Sequence, residues 1–506
     1  MAANSTEIEI KYEAAAGVTL PSFDELPQVA RTKEADEEHL DAEYFDTDDL
    51  RLLRVGVTLR RREGGHDAGW HLKLPAGDYS RREISLPLSA GRRRIPEELA
   101  RLVRVHARGQ ELKPVAKIST ARRRQLLLNS AGEQQAEVAR DDVTARGRGE
   151  RSTVSKWHEI EVELTGGGSD LLEAADRLLR RDGFSRATKS TKLARALDLP
   201  EPASDERRAA GPAAPAGDIL TGYLAAQLSA LKALDPMVRS NEPDALHQMR
   251  IATRRIRSTL QSFQRFFDKA ETGSLVDESR WLGAVLGEAR DAEVLGAHLQ
   301  GQVASLPAEQ VVGPVAARIR EHFARLGVDA QAVAVNTLDS PRYFALLDRL
   351  DELIATAPET KAARRPGIEV LPGAVRRTYK TTSRRMKRAL CEPEGKRGDV
   401  ALHQARKAAK RARYAGEAVA PAFGTKAGRF ASNMKRLQTV LGAHQDAVIA
   451  RQADRELGMS AHLAGQNAFT YGVLYELDDQ EARQLRGRAR QTWRSASRPR
   501  LRRWLR

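Results

Sequence analysis

The sequence predicts an α+β multidomain protein, with an N-terminal antiparallel β-barrel followed by an all-α helical bundle that contains an internal duplication. Three observations carry the prediction. Charged and apolar residues alternate strictly in short runs through the first two hundred residues; the pattern turns helical, rich in Ala, Leu, Arg and Glu, after about 218; and a thirteen-residue helical segment returns 156 positions later. At 506 residues the chain also exceeds what one hydrophobic core usually serves.

The strands come first. Glu7-Ile-Glu-Ile-Lys11, Val57-Thr-Leu-Arg-Arg-Arg62, Trp70-His-Leu-Lys-Leu74 and Glu159-Ile-Glu-Val-Glu163 all have period two. Glu7, Glu9 and Lys11 therefore share one face and Ile8 and Ile10 the other; Glu159, Glu161 and Glu163 oppose Ile160 and Val162 in the same way. On any one half-buried strand the charged face simply meets water. Like charges two residues apart repel, however, so carboxylate pairs recurring beside Lys and Arg pairs favour a lumen holding both metal cations and an anionic ligand. A closed barrel with a polar interior supplies such a lumen. Alternation puts Arg122 and Arg124 on one face and Arg123 on the other, but a one-residue slip inverts the choice, and Asp141 and Asp142 carry the same ambiguity. His66, His71 and His158 read as exposed or packing histidines rather than ligands.

The organisation follows from composition. Residues 1–199 form the barrel domain, 200–217 (PEPASDERRAAGPAAPAG) an exposed linker, and 218–506 the helical domain, in two halves of about 218–355 and 365–506. Residues 1–216 carry 36 basic and 37 acidic groups, a net of −1, whereas 217–506 carry 48 and 31, a net of +17. Attraction to polyanions thus belongs to the helical part. No apolar run approaches the length of a membrane span, and the start, MAANSTEIEIKYEAAAG, has neither a basic nor an apolar export segment, which predicts a cytoplasmic protein. The single cysteine, Cys391, excludes an internal disulfide and reads as an inert thiol.

Within the helical part, 245–257 (ALHQMRIATRRIR) and 401–413 (ALHQARKAAKRAR) share eight of thirteen residues, and Leu286-Gly-Glu-Ala-Arg-Asp-Ala is echoed by Leu441-Gly-Ala-His-Gln-Asp-Ala. On a helix His247, Arg250, Arg254 and Arg257 line one face, as do His403, Arg406, Lys410 and Arg413. A single basic helix is adequately explained by solvent. A stripe that occurs twice, with a His at the same place, favours a bound polyanion. The run Arg376 to Arg388 is expected on the same surface, and the tail TWRSASRPRLRRWLR is either a closing helix or a further anion contact.

The ordered motifs carry a resemblance. Glu7-x-Glu9-x-Lys11, the Tyr-Phe-Asp-Thr stretch at 44–47, Arg60 with Arg62, Trp70-x-Leu-Lys73-Leu-Pro75, Arg81-Arg-Glu83, Glu137 to Asp141, Trp157 to Glu163 and Ser190-Thr-Lys192 together resemble the CYTH family of triphosphate tunnel metalloenzymes over about 5–199. The paired His-x-x-Arg-x-x-x-Arg-Arg-x-Arg helices resemble the CHAD domain over about 218–506. The combination resembles bacterial CYTH–CHAD inorganic triphosphatases.

What the resemblance implies is specific. Glu7, Glu9 and Lys11 would be catalytic; Lys11, Arg60, Arg62, Lys73, Arg122, Arg124 and Lys192 would hold phosphate oxygens; and Glu7, Glu9, Asp141, Glu159 and Glu161 would ligate Mg²⁺ or Mn²⁺. The CHAD resemblance implies binding of inorganic polyphosphate by His247, Arg250, Arg254, Arg255, Arg257, Arg290, His403, Arg406, Lys407, Lys410, Arg411 and Arg413. Tyr414 extends the second stripe, and the absence of a second Ala-Arg-Asp makes Arg290 one-sided. The expected activity is metal-dependent hydrolysis of inorganic or a related triphosphate, with localisation to the cytoplasm or polyphosphate granules. The alternative is a non-catalytic polyphosphate-binding or granule-targeting protein. Tunnel carboxylates favour the hydrolase, since a pure anion binder has no need of them beside its phosphates. Thiamine triphosphatases and adenylyl cyclases share the family, so the fold does not fix the substrate. Aromatics make up 5% of the chain and are not interleaved with the basic stripes, which leaves only nonspecific nucleic-acid binding.

Overall fold

The computed structural model describes residues 3–77, 79–90, 94–147, 154–189, 191–199, 211–356 and 360–505. Ser190, the first part of the linker (200–210) and the terminal Arg506 lie outside these described residues. The chain divides into two compact units, Met1–Glu206 and Arg207–Arg506.

The first unit is built from β1 (Ala3–Ala14), β2 (Arg31–Glu34), β3 (Glu38–Asp46), β4 (Thr58–Glu63), β5 (Gly69–Pro75), β6 (Ser80–Pro87), α1 (Glu97–Ala107), β7 (Lys113–Leu128), β8 (Gln134–Gly147), β9 (Val154–Leu164), α2 (Ser169–Arg181), β10 (Ser185–Arg186) and α3 (Lys192–Ala196). All strand pairings are antiparallel, in the order β1-β6-β5-β4-β3-β7-β8-β9, and β1 pairs again with β9. That last pairing closes an eight-stranded barrel; β10 and β2 extend it beside β1 and β7. Closure removes the exposed edges that an open sheet would have to protect.

Alternation then separates two environments. Ile10 and Tyr12 of β1, Val138 of β8, and Ile160 and Val162 of β9 turn outward and are covered by Leu171, Leu172, Ala175 and Leu179 of α2. Leu59, Trp70, Leu72 and Ile84 turn outward beneath Leu99, Leu102 and Val103 of α1. The alternate residues face the lumen. At one end the inward side chains are apolar: Ala42, Ala116, Ile118, Val143, Ala145 and Trp157 pack on Leu193, Ala194 and Ala196 of α3, which plugs the barrel. The β4–β5 turn depends on Gly64, whose φ is +79° and where a Cβ would lie 2.0 Å from the carbonyl oxygen of His39. Asp46, fully buried, accepts from the amides of Thr47 (2.7 Å), Leu52 (2.9 Å) and Leu53 (2.9 Å), which shapes the loop leading into β4.

The second unit is all-helical: α4 (Ala216–Arg239), α5 (Ala245–Ser262), α6 (Lys269–Ser305), α7 (Val315–Leu338), α8 (Pro341–Ala355), α9 (Gly367–Cys391), α10 (Lys396–Phe423), α11 (Thr425–Leu463), α12 (Phe469–Ala496) and a closing 3₁₀ turn, Pro499–Leu505. Small residues permit close helix packing, as where α10 buries Ala405, Ala409, Ala412 and Ala415 between α9 and α11. Two starts are capped from the side chain: Asp268 accepts from the Ala270 amide at 2.7 Å and Ser340 from the Tyr343 amide at 3.2 Å. The tail closes the bundle, with Trp504 against Phe423 and Phe430, and Leu505 buried. Among the described residues no helix is long and apolar enough to cross a membrane.

Candidate functional site

The barrel lumen is a narrow polar cavity of about 70 Å³, lined among others by Glu7, Glu9, Lys11, Tyr44, Arg60, Arg62, Lys73, Arg122, Glu161 and Lys192. Register explains who meets whom. Lys11 lies opposite Glu161 across β1 and β9, Arg122 opposite Asp141 across β7 and β8, and Asp141 opposite Glu159 across β8 and β9. Arg122 forks onto Asp141, with Nε at 2.8 Å and Nη2 at 2.6 Å, and also reaches Glu161. Lys11 bonds Glu161 and lies 3.4 Å from Glu9, while Lys73 bonds Glu7.

Lys192 enters differently. It is the first residue of α3, whose cap is Thr191, the hydroxyl accepting from the Ala194 amide at 3.0 Å. From there its ammonium reaches Asp141 at 2.9 Å, Glu159 at 2.6 Å and Glu161 at 2.7 Å. These three carboxylates are all buried and offer oxygens within 4.8 Å of one another, so this cluster can hold a metal ion. Its donors are exclusively oxygen, and an ammonium already lies among them, so the cluster suits a hard cation. Glu7 and Glu9 share the cavity but not that cluster; each is engaged instead by a lysine.

The register also places the ambiguous residues. Arg122 and Arg124 turn inward, the latter to Glu38 at 2.8 Å and Glu137 at 3.3 Å, while Arg123 pairs outside with Glu37. Asp141 is fully buried, and Asp142 bonds His158 on the outer face. His66 is exposed near Glu38. His71 is buried, with Nδ1 2.8 Å from Glu83 and Nε2 2.9 Å from the Asp67 carbonyl; burial brings its pKa down to about 4, so the ring is neutral.

Electrostatics single out two arginines. Among the described residues Arg60 hydrogen-bonds the Tyr44 hydroxyl, 3.4 Å away, and its Nε is buried without a partner. Arg62 contacts Asp67, yet burial and then the charges of Arg60 and Arg122 lower its pKa to about 9. The positive charge of Arg62 is therefore incompletely compensated in the lumen. Burial, followed by a hydrogen bond shared with Glu83, pushes the Glu7 carboxyl up to about 8. Glu83, Tyr44, Arg81, Glu163 and Thr191 are cavity or near-cavity residues that the motif reading left without a role. Glu83 was detectable as the cross-strand partner of Lys73, and Glu163 as the third member of the alternating run.

In the helical unit α5 and α10 pack together, with α6 and α11 behind them. Arg250 forks onto Asp291 of α6 at 2.7 and 3.1 Å, and Arg406 faces Asp446 of α11 at 3.8 Å, the same relationship in both copies. Burial, then the charges of Arg406, Arg254 and Arg250, lowers Lys410 to about 7, and burial followed by neighbouring Arg250 and Arg406 also lowers Arg254. Arg250, Arg254, Arg406 and Lys410 thus form one basic cluster. His247 and His403 flank it with Nδ1 buried and unpartnered, and burial lowers both; His403 also opens onto a groove of about 660 Å³ lined by Lys396, Arg451, Arg455 and Tyr475.

The other stripe residues are paired with carboxylates, exposed, or set beside this cluster. Arg255 and Arg413 share Glu417, at 3.2 and 2.6 Å. Arg290 pairs with Glu293 at 2.8 Å, Lys407 and Arg411 are exposed, and Arg257 neighbours Arg254, Arg280 and Arg411. Arg376, Arg377, Lys380, Arg384, Lys387 and Arg388 run exposed along α9. Tyr414 is buried beneath Arg413, and Cys391 is an exposed free thiol.

Comparison with known proteins agrees with this geometry. The CYTH domain matches residues 5–196 and the CHAD domain residues 222–453. Uncharacterized proteins from two strains of Mycobacterium tuberculosis are 38% identical over 487 residues, 94% of this chain and 93% of theirs. Among solved structures, PptA from Streptomyces chartreusis has a TM-score of 0.47 at 22% identity, covering 56% of this chain and 100% of that one. The CHAD domain from the plant Ricinus communis has a TM-score of 0.45 at 23% identity, covering 56% and 94%. The CYTH tunnel ties the first unit to triphosphate chemistry in general. With its closed barrel and its helical unit each matched in order, the chain belongs to the proteins that fuse an N-terminal CYTH domain to a C-terminal CHAD domain.

Proposed function

We propose that the tunnel hydrolyses inorganic triphosphate, or a closely related triphosphate, with Mg²⁺ or Mn²⁺, and that the helical domain binds inorganic polyphosphate in the cytoplasm or at polyphosphate granules. The observation that carries the reading is the meeting, inside one closed lumen, of a buried Asp141–Glu159–Glu161 cluster with Lys11, Arg60, Arg62, Lys73, Arg122 and Lys192. A triphosphate brings about four negative charges, and hydrolysis needs these masked before water can approach phosphorus.

The division of labour follows from side-chain chemistry. Arg60 and Arg62 offer guanidinium forks to paired phosphate oxygens, while Lys11, Lys73 and Lys192 act as point charges. Asp141, Glu159 and Glu161, joined by Glu7 and Glu9 from β1, are the residues that would hold the metal. The metal's contribution is Lewis-acid neutralisation of phosphate oxygens. The carboxylates remaining in the lumen orient the attacking water and accept its proton. Because the present ion pairs fill the narrow lumen, binding exchanges carboxylate partners of Lys11, Lys73 and Arg122 for phosphate oxygens.

The test is phosphate release from triphosphate, ATP, thiamine triphosphate and long-chain polyphosphate, with and without each metal, in the wild type and in Glu7→Gln/Glu9→Gln. Metal-dependent turnover of triphosphate that disappears in the double variant supports the proposal. Tight polyphosphate binding with no cleavage of any substrate would leave a binding protein and sink the hydrolase.

A further inference from the structure

Outside both sites, the helical unit buries a pair of carboxylates to which, among the described residues, no Lys or Arg is paired. Asp454 of α11 and Asp478 of α12 are both fully buried and lie against each other. Neither oxygen of Asp454 receives a hydrogen bond, and Oδ2 of Asp478 is likewise unpartnered. The contrast with Asp235 in the same unit is direct: it is equally buried, but Arg239 donates to it at 2.5 Å. Among the described residues no Lys or Arg forms an ion pair with Asp454 or Asp478. Leaving adjacent buried carboxylates without a counter-charge is costly, and helix packing alone does not offset it.

The groups around the pair are those of a metal site. His298 of α6 places Nε2 2.8 Å from Asp478 Oδ1, and Gln302, one turn further along the same face, donates to that oxygen at 2.7 Å. Glu481 stands one turn beyond Asp478 on α12, and His298, Asp478 and Glu481 offer ligand atoms within 4.8 Å of one another. The Oε1 of Gln302 is buried and unsatisfied. Two helices thus present a His, two carboxylates and an amide to one point, with the orphaned Asp454 behind it.

We infer that His298, Asp478 and Glu481 form a divalent transition-metal site, with Asp454 supplying further negative charge, distinct from the tunnel and suited to Zn²⁺ rather than Mg²⁺. An imidazole in the donor set is the reason: His nitrogen with carboxylate oxygens suits Zn²⁺, whereas Mg²⁺ prefers oxygen alone. Such an ion would bind α6 of the first half of the helical unit to α12 of the second.

The experiment uses the full chain carrying Glu159→Gln/Glu161→Gln, so that the tunnel cluster does not contribute. After EDTA stripping, Zn²⁺ reloading and desalting, elemental analysis should find about one zinc per chain, and Co²⁺ in its place should give visible d–d bands. Adding His298→Ala should remove the bands and weaken retention by roughly tenfold or more. Glu481→Gln, a change at an exposed position that leaves the core intact, should weaken it in the same direction. No zinc retained, or equal retention with and without His298→Ala, overturns the site and leaves a carboxyl pair sharing a proton. Triphosphate turnover by the otherwise wild-type His298→Ala chain reports on the tunnel separately.

Discussion

Arg122 and Asp141 face each other across β7 and β8 as a forked pair whose Nε–Oδ1 and Nη2–Oδ2 separations are 2.8 and 2.6 Å. The pair sits in the lumen wall, so its partners bear on barrel stability and, in the proposed reaction, on phosphate affinity. Removing one member of a buried pair costs about 3–5 kcal/mol because the other charge is stranded. Lys192 and Lys11 remain near the stranded carboxylates, which puts Arg122→Met at about 3 kcal/mol, the lower end of that range. Calorimetry of the barrel transition checks the figure, and Arg122→Met/Asp141→Asn should recover part of the loss.

Lys192 depends on the start of a five-residue helix, where Thr191 supplies the cap. Thr191→Val keeps the shape and removes the acceptor, at a cost of about 1 kcal/mol. The looser ammonium should raise the KM for triphosphate several-fold, while Thr191→Ser restores the wild-type value. An unchanged KM in Thr191→Val would mean that Lys192 is positioned without the cap.

In the helical unit, Arg254→Ala/Lys410→Ala should weaken polyphosphate binding far more than Arg255→Ala/Arg413→Ala. The first two face the convergent basic cluster, whereas the second two are already engaged by the shared carboxylate of Glu417. The affinity of the wild type should fall steeply with ionic strength, and less steeply in the first variant. Titrations at 50 and 300 mM salt give both quantities. Equal losses in the two variants would place the polyanion elsewhere.

Lys410 adds a pH signature. Burial and then its basic neighbours Arg406, Arg254 and Arg250 lower it to about 7 in the free protein, and a bound polyanion favours the charged form and raises it again. Binding above pH 7 therefore takes up a proton, and affinity falls as pH rises from 7 to 9, whereas below pH 7 the lysine is already charged and the dependence vanishes. Calorimetry at pH 8 in buffers of different ionisation enthalpy should show uptake approaching one proton, abolished by Lys410→Arg.

Period two was enough to read the barrel, because strands such as β1, β5 and β9 bury one face against a helix and turn the other to the polar lumen, so charge and apolarity separate cleanly. The resemblance to the CYTH motifs named Arg60, Arg62 and Lys73, but alternation could not choose between Arg122 and Arg123, since three consecutive arginines satisfy either register. Only the β7–β8 pairing, with Asp141 opposite Arg122, decides it. Asp46 stood inside a recognised motif, yet its work of accepting three backbone amides is invisible without the loop it folds. On the helices, spacing put Arg413 in the stripe that starts at His403, but ten residues of helix do not return to the same face as closely as seven, and Glu417 one turn ahead captured it. The carboxylate pair at Asp454 and Asp478 gave no sequence signal at all, for the two lie on different helices and join only when α11 and α12 pack.

The apolar plug formed by Leu193, Ala194 and Ala196 gives the barrel a floor. A vessel with one mouth admits a linear polymer only end first, and whatever is cut off must leave by the way it came. Were long polyphosphate a substrate of the tunnel, it would be read from its terminus, its interior bonds out of reach, and each turnover would wait on the departure of the last fragment.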